Sequence, residues 1–175
     1  MFTAIADAST KPLIVYNVPS RTGINIAPAT YQKLAAHPMI AAIKEAGGNI
    51  SQVVETVALT QGQLDLYSGN DDQIVPIMAC GGKGVISVLS NLLPGETSRM
   101  CHLALEGDFQ GAMALQTKYL NLTNALFCEV NPIPVKAAMA AMGFCENRLR
   151  LPLTQMEPQN ELMLLREMRK LGVLR

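Results

Sequence analysis

The chain has 175 residues, 49% of them hydrophobic, with 14 basic against 14 acidic side chains and only His37 and His102 as histidines. That length and apolar content support one domain with a real core. The basic residues are scattered, which argues against a nucleic-acid surface or a polybasic membrane contact. No apolar run approaches the roughly 20 residues of a spanning helix.

The start, Met1 to Thr10, carries Asp7 and no basic cluster, so it does not read as a signal peptide. Phe2 to Ala6 reads as the end of an amphipathic helix, and the chain is expected to begin inside an element. Four short apolar runs follow at intervals of roughly twenty to thirty residues. They are Leu13–Tyr16, Ile40–Ile43, Leu64–Tyr67 and Gly84–Ser87. Helical patterns lie between them. Pro28 opens one over residues 29–36. Asn49 or Ser51 caps one through Val53, Val54, Val57 and Ala58. Asp71 or Asp72 caps one from Ile74 to Cys80, which Gly81-Gly82 ends. Strands alternating with single helices predict βα units and a parallel sheet.

After Asn91 only helices are predicted. Pro94 opens one to about Glu106, and Asp108 caps one from Phe109 to about Phe127. The Asn131-Pro132-Ile133-Pro134 stretch breaks the chain before a helix from Val135 to Met142. The last helix, about 158–171, is expected to present Leu162, Leu165 and Met168 on one face. There is no repeat beyond the βα period and no low-complexity linker.

Cys80, Cys101, Cys128 and Cys145 are too widely spaced for a zinc or disulfide framework, so four buried, reduced cysteines in a cytoplasmic protein are expected. Gly81-Gly82-Lys83-Gly84 superficially resembles a phosphate-cradling loop, but it precedes a strand, whereas such a loop runs from strand to helix. His102 reads as a satisfied helix histidine.

In a parallel βα array the functional side chains gather at the carboxyl ends of the strands. Tyr16, Lys44, Gly69 and Ile86 fall there, one per unit. Singly, each has an ordinary reading. Tyr16 serves as a half-buried core residue, Lys44 lies near an exit to water or pairs with a carboxylate such as Glu45, Gly69 makes a turn that needs an unusual backbone angle, and Arg21 is a solvated loop charge. Together they suggest more. A desolvated lysine amine is a nucleophile that forms a Schiff base with a ketone. A tyrosine hydroxyl shuttles the proton for dehydration, an arginine holds a carboxylate bidentately, and a glycine admits close backbone approach.

Five segments in order carry a resemblance over the whole chain. They are Tyr-Asn-Val-Pro-Ser-Arg-Thr-Gly at 16–23, Ile-Lys-Glu-Ala at 43–46, Ser-Gly-Asn-Asp at 68–71, Gly-Gly-Lys-Gly-Val-Ile-Ser at 81–87 and Asn-Pro-Ile-Pro-Val-Lys at 131–136. In these the chain resembles the dihydrodipicolinate synthase family. The related N-acetylneuraminate lyases keep the tyrosine and lysine, and the arginine in Ser20-Arg21-Thr22 favours the synthases.

The resemblance implies a TIM (β/α)8 barrel followed by a C-terminal helical domain, usually tetrameric. This chain would supply strands five to eight and four βα units over residues 1–91, then the last barrel helix and the helical domain over 92–175. It implies that Lys44 forms an imine with pyruvate, whose enamine attacks aspartate semialdehyde in the diaminopimelate route to lysine. Tyr16 would relay protons, Arg21 would bind the semialdehyde carboxylate, and Gly69 and Ile86 would line the pyruvate pocket. No metal or organic cofactor is implied, because the amine is itself the electron sink. The family's Gly-Thr-Thr-Gly-Glu segment, the tyrosine lent by a neighbouring subunit and the lysine-feedback residues have no counterpart here, so the chain alone is expected to be inactive. Two other readings stand beside this one: a pyruvate-dependent aldolase with a different aldehyde, and a non-catalytic half-barrel acting in assembly.

Overall fold

The computed structural model describes residues 1–174. Its frame is a four-stranded, all-parallel sheet in sequential order. The strands are β1 (Leu13–Asn17), β2 (Ile40–Glu45), β3 (Asp65–Ser68) and β4 (Gly84–Val85). Helices α1 (Phe2–Ala8), α2 (Pro19–Thr22), α3 (Pro28–Ala35), α4 (Ile50–Thr60) and α5 (Ile74–Ala79) precede or connect them. The remaining helices are α6 (Pro94–Leu105), α7 (Phe109–Leu126), α8 (Ile133–Ala141) and α9 (Pro158–Lys170). The expected βα alternation and the all-helical remainder are both present.

Side-chain alternation gives the sheet two unlike faces. Val15, Ile43 and Leu66 turn toward the helices and bury against Tyr31, Leu34, Val53 and Ile77. Ile14 and Tyr16, one position away, stay exposed on the other face at 52% and 43%. The register sets Tyr16 opposite Lys44, Lys44 opposite Tyr67 and Tyr67 opposite Gly84. One row of side chains, Tyr16, Lys44 and Tyr67, thus crosses three strands at the same level and ends at Gly84 of the fourth.

Two further cores extend the first. Ile74, Val75 and Met78 of α5 pack with Met100 and Ala104 of α6 and Ala112 of α7. Leu122 and Leu126 of α7 pack with Ala137 and Ala138 of α8 and Leu164 and Met168 of α9. Asn49 caps α4 by accepting from the Gln52 amide, and Asp108 caps α7 by accepting from that of Gly111.

Several expectations are corrected. Neither Asp71 nor Asp72 caps α5, which begins after a 3₁₀ turn at Asp71–Gln73 with Gln73 as an uncapped N-cap. The Asp71 carboxylate instead accepts from the amides of Val88 and Leu89, beyond β4. β4 itself is only Gly84–Val85, because the chain past Ile86 folds into a 3₁₀ turn at Leu89–Asn91. On α9 the buried residues are Leu164, Glu167 and Met168, while Leu162 is exposed. Four successive apolar residues, Leu162 to Leu165, leave the stripe undetermined by periodicity. The cysteines are free, but Cys128 and Cys145 are exposed and Cys80 and Cys101 only partly covered.

Candidate functional site

At the carboxyl ends of the strands the backbone repeats one device. The Asn17 carbonyl accepts from the Ala46 amide at 2.9 Å, that of Glu45 from Gly69 at 2.7 Å, and that of Ser68 from Ile86 at 2.9 Å. Each strand end thereby fixes the first residues beyond its neighbour. Above this rim is an open cavity of about 210 Å³. Tyr16, Arg21, Lys44, Gly69 and Ile86 all line it. The five residues singled out in the sequence therefore meet at one site.

The Lys44 ammonium stands over the Tyr16 ring, 4.2 Å from its centroid. The phenol face attracts the cation, which sets amine and phenol side by side. Glu45 is not its partner. Consecutive strand residues face opposite ways, and the Glu45 carboxylate accepts two bonds from Asn17 Nδ2, at 2.9 and 3.0 Å, on the helix side. Among the described residues Lys44 and Arg21 make no ion pair. Both cations are thus available to an anionic ligand. Arg21 is exposed on α2, a single turn opened by Pro19 and closed by Gly23 at φ +69°.

Gly69 is there for space. Its φ is not in the left-handed region, so the expected special turn angle is not the reason. A Cβ at 69 would sit 2.8 Å from Ala46 Cβ and 3.1 Å from both the Glu45 carbonyl and Lys44 Cε. Only a glycine lets β3 end this close to the lysine stem.

Behind the rim lies a buried polar cluster. Asn17 is 0% and Glu45 4% exposed. Asn17 also donates to Asn25 at 2.9 Å and accepts from the Ile26 amide at 3.0 Å. Burial pushes the Glu45 carboxyl above its ordinary value, against the pull of its bonds from Asn17 and from the Gly47 and Ala46 amides. Burial, then the nearby Glu45 carboxylate, push the Tyr31 phenol up as well.

Sequence reasoning missed the parts of the wall that come from far along the chain. Phe127, just past α7, and Asn131 line the cavity beside Ser87 and Val88. The Asn-Pro-Ile-Pro break after a long helix was the available signal. The phosphate-loop reading of Gly81 to Gly84 gains nothing, since these residues form the stop after α5 and the start of β4. His102 is exposed and bonds Ser98 on its own helix. A larger groove of about 500 Å³ between α7 and α9 holds Arg166, Glu167 and Lys170, already engaged with one another.

A family model described as the Dihydrodipicolinate synthetase family matches residues 1–170. The 4-hydroxy-tetrahydrodipicolinate synthase of Alkaliphilus oremlandii is 52% identical over 173 residues, covering 99% of this chain and 60% of that protein. The crystal structure of dihydrodipicolinate synthase from Thermotoga maritima superposes with a TM-score of 0.96 at 38% identity, covering 99% of this chain and 60% of the other. That of the Acinetobacter baumannii enzyme complexed with pyruvate does so at 0.96 and 39% identity, with the same coverages. The α/β fold therefore matches part of these solved structures, and the chain spans about 60% of the length of the relatives it matches.

Proposed function

This chain belongs to the dihydrodipicolinate synthetase family, and on that premise we propose that it carries the Schiff-base half of a pyruvate–aspartate semialdehyde condensation. The observation that carries the reading is the Lys44 amine 4.2 Å over the Tyr16 ring, in a cavity that Arg21 also lines. Lys44 is the nucleophile. Its amine adds to the pyruvate ketone, and loss of water gives the imine. Tyr16 carries the proton between the carbinolamine and water. Loss of a methyl proton gives the enamine, which attacks the aldehyde carbon. Arg21, exposed at the mouth and without an ion pair among the described residues, holds the semialdehyde carboxylate.

A cavity of about 210 Å³ is small beside ordinary ligand sites and suits a three-carbon keto acid. Gly69 and Ile86 form its wall. No step in this chemistry calls on a metal or an organic cofactor.

In this reading the four parallel strands in sequential order are strands five to eight of the barrel. Residues 1–91 are then its partial wall, and residues 92–175 the last barrel helix and the C-terminal helical domain. Turnover requires the threonine relay and the neighbour's tyrosine that the other part of such an enzyme supplies, so the chain alone binds pyruvate without completing the condensation. The assembly is a homo-oligomer in the cytoplasm. An aldolase with another aldehyde partner shares the lysine chemistry; Arg21→Ala separates the two, since it weakens use of an aldehyde that bears a carboxylate and spares one that does not.

Borohydride reduction in the presence of pyruvate, read by peptide mass spectrometry, tests the reading. An adduct on Lys44 supports it, and full condensation by the purified chain would overturn the assignment of an incomplete site.

A further inference from the structure

Two residues that the chemistry above does not use sit directly behind it. Asn17 follows Tyr16 in β1 and Glu45 follows Lys44 in β2. The register that pairs Tyr16 with Lys44 also pairs Asn17 with Glu45. Because alternate residues face opposite ways, the first pair opens to the cavity and the second is sealed on the helix side.

We propose that Asn17 and Glu45 are positioning residues, a buried amide–carboxylate clamp that locks the ends of β1 and β2 so that Tyr16 stays under the Lys44 amine. The bonds favour this over mere filling. Asn17 Nδ2 meets both carboxylate oxygens, at 2.9 and 3.0 Å, and the Gly47 amide closes on Glu45 Oε1. Asn17 Oδ1 takes the Ile26 amide at 3.0 Å, so the clamp also secures the chain that returns from Arg21. Both side chains are nearly solvent-free, where hydrogen bonds are strong and geometry is strictly held. An apolar pair would fill the space but would set no register. The outer pair has no comparable restraint: among the described residues Lys44 makes no ion pair and lies over the Tyr16 ring face, and Tyr16 is 43% exposed. Its geometry therefore depends on the pair behind it.

This inference rests on the reading of Lys44 as the imine-forming lysine, and the test separates the two. Three proteins are compared: the parent chain, Asn17→Asp, and Asn17→Asp with Glu45→Gln. The single change sets carboxylate against carboxylate. The double change restores one amide and one carboxylate across the same gap, with the parent's charge. Each is assessed by melting temperature, by the upfield ring-current displacement that Tyr16 imposes on the Lys44 ε-protons in NMR, and by the rate of borohydride trapping with pyruvate.

The clamp predicts that Asn17→Asp loses the displacement and traps pyruvate about tenfold more slowly or worse, and that the double variant recovers both. A single variant that melts lower yet keeps the displacement overturns the proposal, because the pair then only stabilises. A folded double variant that fails to recover it does the same. If Asn17→Asp does not fold, Glu45→Gln replaces it. It keeps the side-chain length but removes one acceptor, and an unchanged displacement there is equally fatal. The NMR readout needs no pyruvate, so a displacement that follows the clamp in a chain that traps nothing would sink the functional reading and leave the clamp standing.

Discussion

The two faces of the sheet at its carboxyl end use neighbouring residues for opposite tasks. On the cavity face Tyr16 and Lys44 have no ion-pair partner among the described residues, and the Lys44 ammonium lies 4.2 Å from the Tyr16 ring centroid. On the helix face Asn17 and Glu45 have bonds to side chains and backbone of three segments. In the proposed reading the outer pair is left open for chemistry, and the sealed pair behind it holds it in place. Stability and chemistry are thus separated by a single step along the strand.

The largest expected effect breaks the cavity face alone. Lys44→Ala removes the nucleophile, so the pyruvate adduct disappears entirely. The melting temperature barely moves, since a partly exposed side chain with no ion pair contributes little. Next comes Leu164→Ala in α9, where a fully buried leucine lowers stability by about 2–5 kcal/mol in denaturant titration. The exposed Leu162→Ala stays within about 0.5 kcal/mol. Equal losses at both positions would refute the packing described for that helix.

Gly69→Ala strikes the strand ends beneath the cavity. Its Cβ would meet the Glu45 carbonyl and the Lys44 stem at 3.1 Å, so it costs about 1–3 kcal/mol through overpacking and slows trapping as well. The smallest effect sharpens the helix face. Glu45 is raised above its ordinary 4.5 in the folded chain, so between that value and its folded one the native state holds a proton that the unfolded state releases. Stability from this group is full below about 4.5 and is lost as pH rises through the folded value. Glu45→Gln should flatten that loss in pH-dependent melting curves, and an unchanged slope would contradict the burial.

Much of this was legible beforehand, for physical reasons. The four strands and most helix ends announce themselves by short apolar runs and by Pro, Asn, Asp and Gly at their boundaries. That Tyr16, Arg21, Lys44, Gly69 and Ile86 converge follows from the rule that parallel strands present their carboxyl ends together. The misses share a cause too. Strand alternation already forbade a Lys44–Glu45 pair, but a charge adjacent in sequence invites one. Asp71 looked like a cap because its actual partners, the Val88 and Leu89 amides, lie beyond the reach of local pattern. Phe127 and Asn131 reach the cavity through the packing of α7 against α5, where Ala112 meets Ile74, Val75 and Met78 and Gln116 accepts from the Val75 amide. The apolar face of α9 was underdetermined, because four apolar residues in a row fit more than one stripe.

Borohydride trapping with pyruvate, followed by peptide mapping, tests the central claim most directly. The account predicts one reduced pyruvate on Lys44 and none on the other lysines. A folded chain that gains no adduct, or gains it elsewhere, would contradict the assignment of Lys44 as the imine-forming residue.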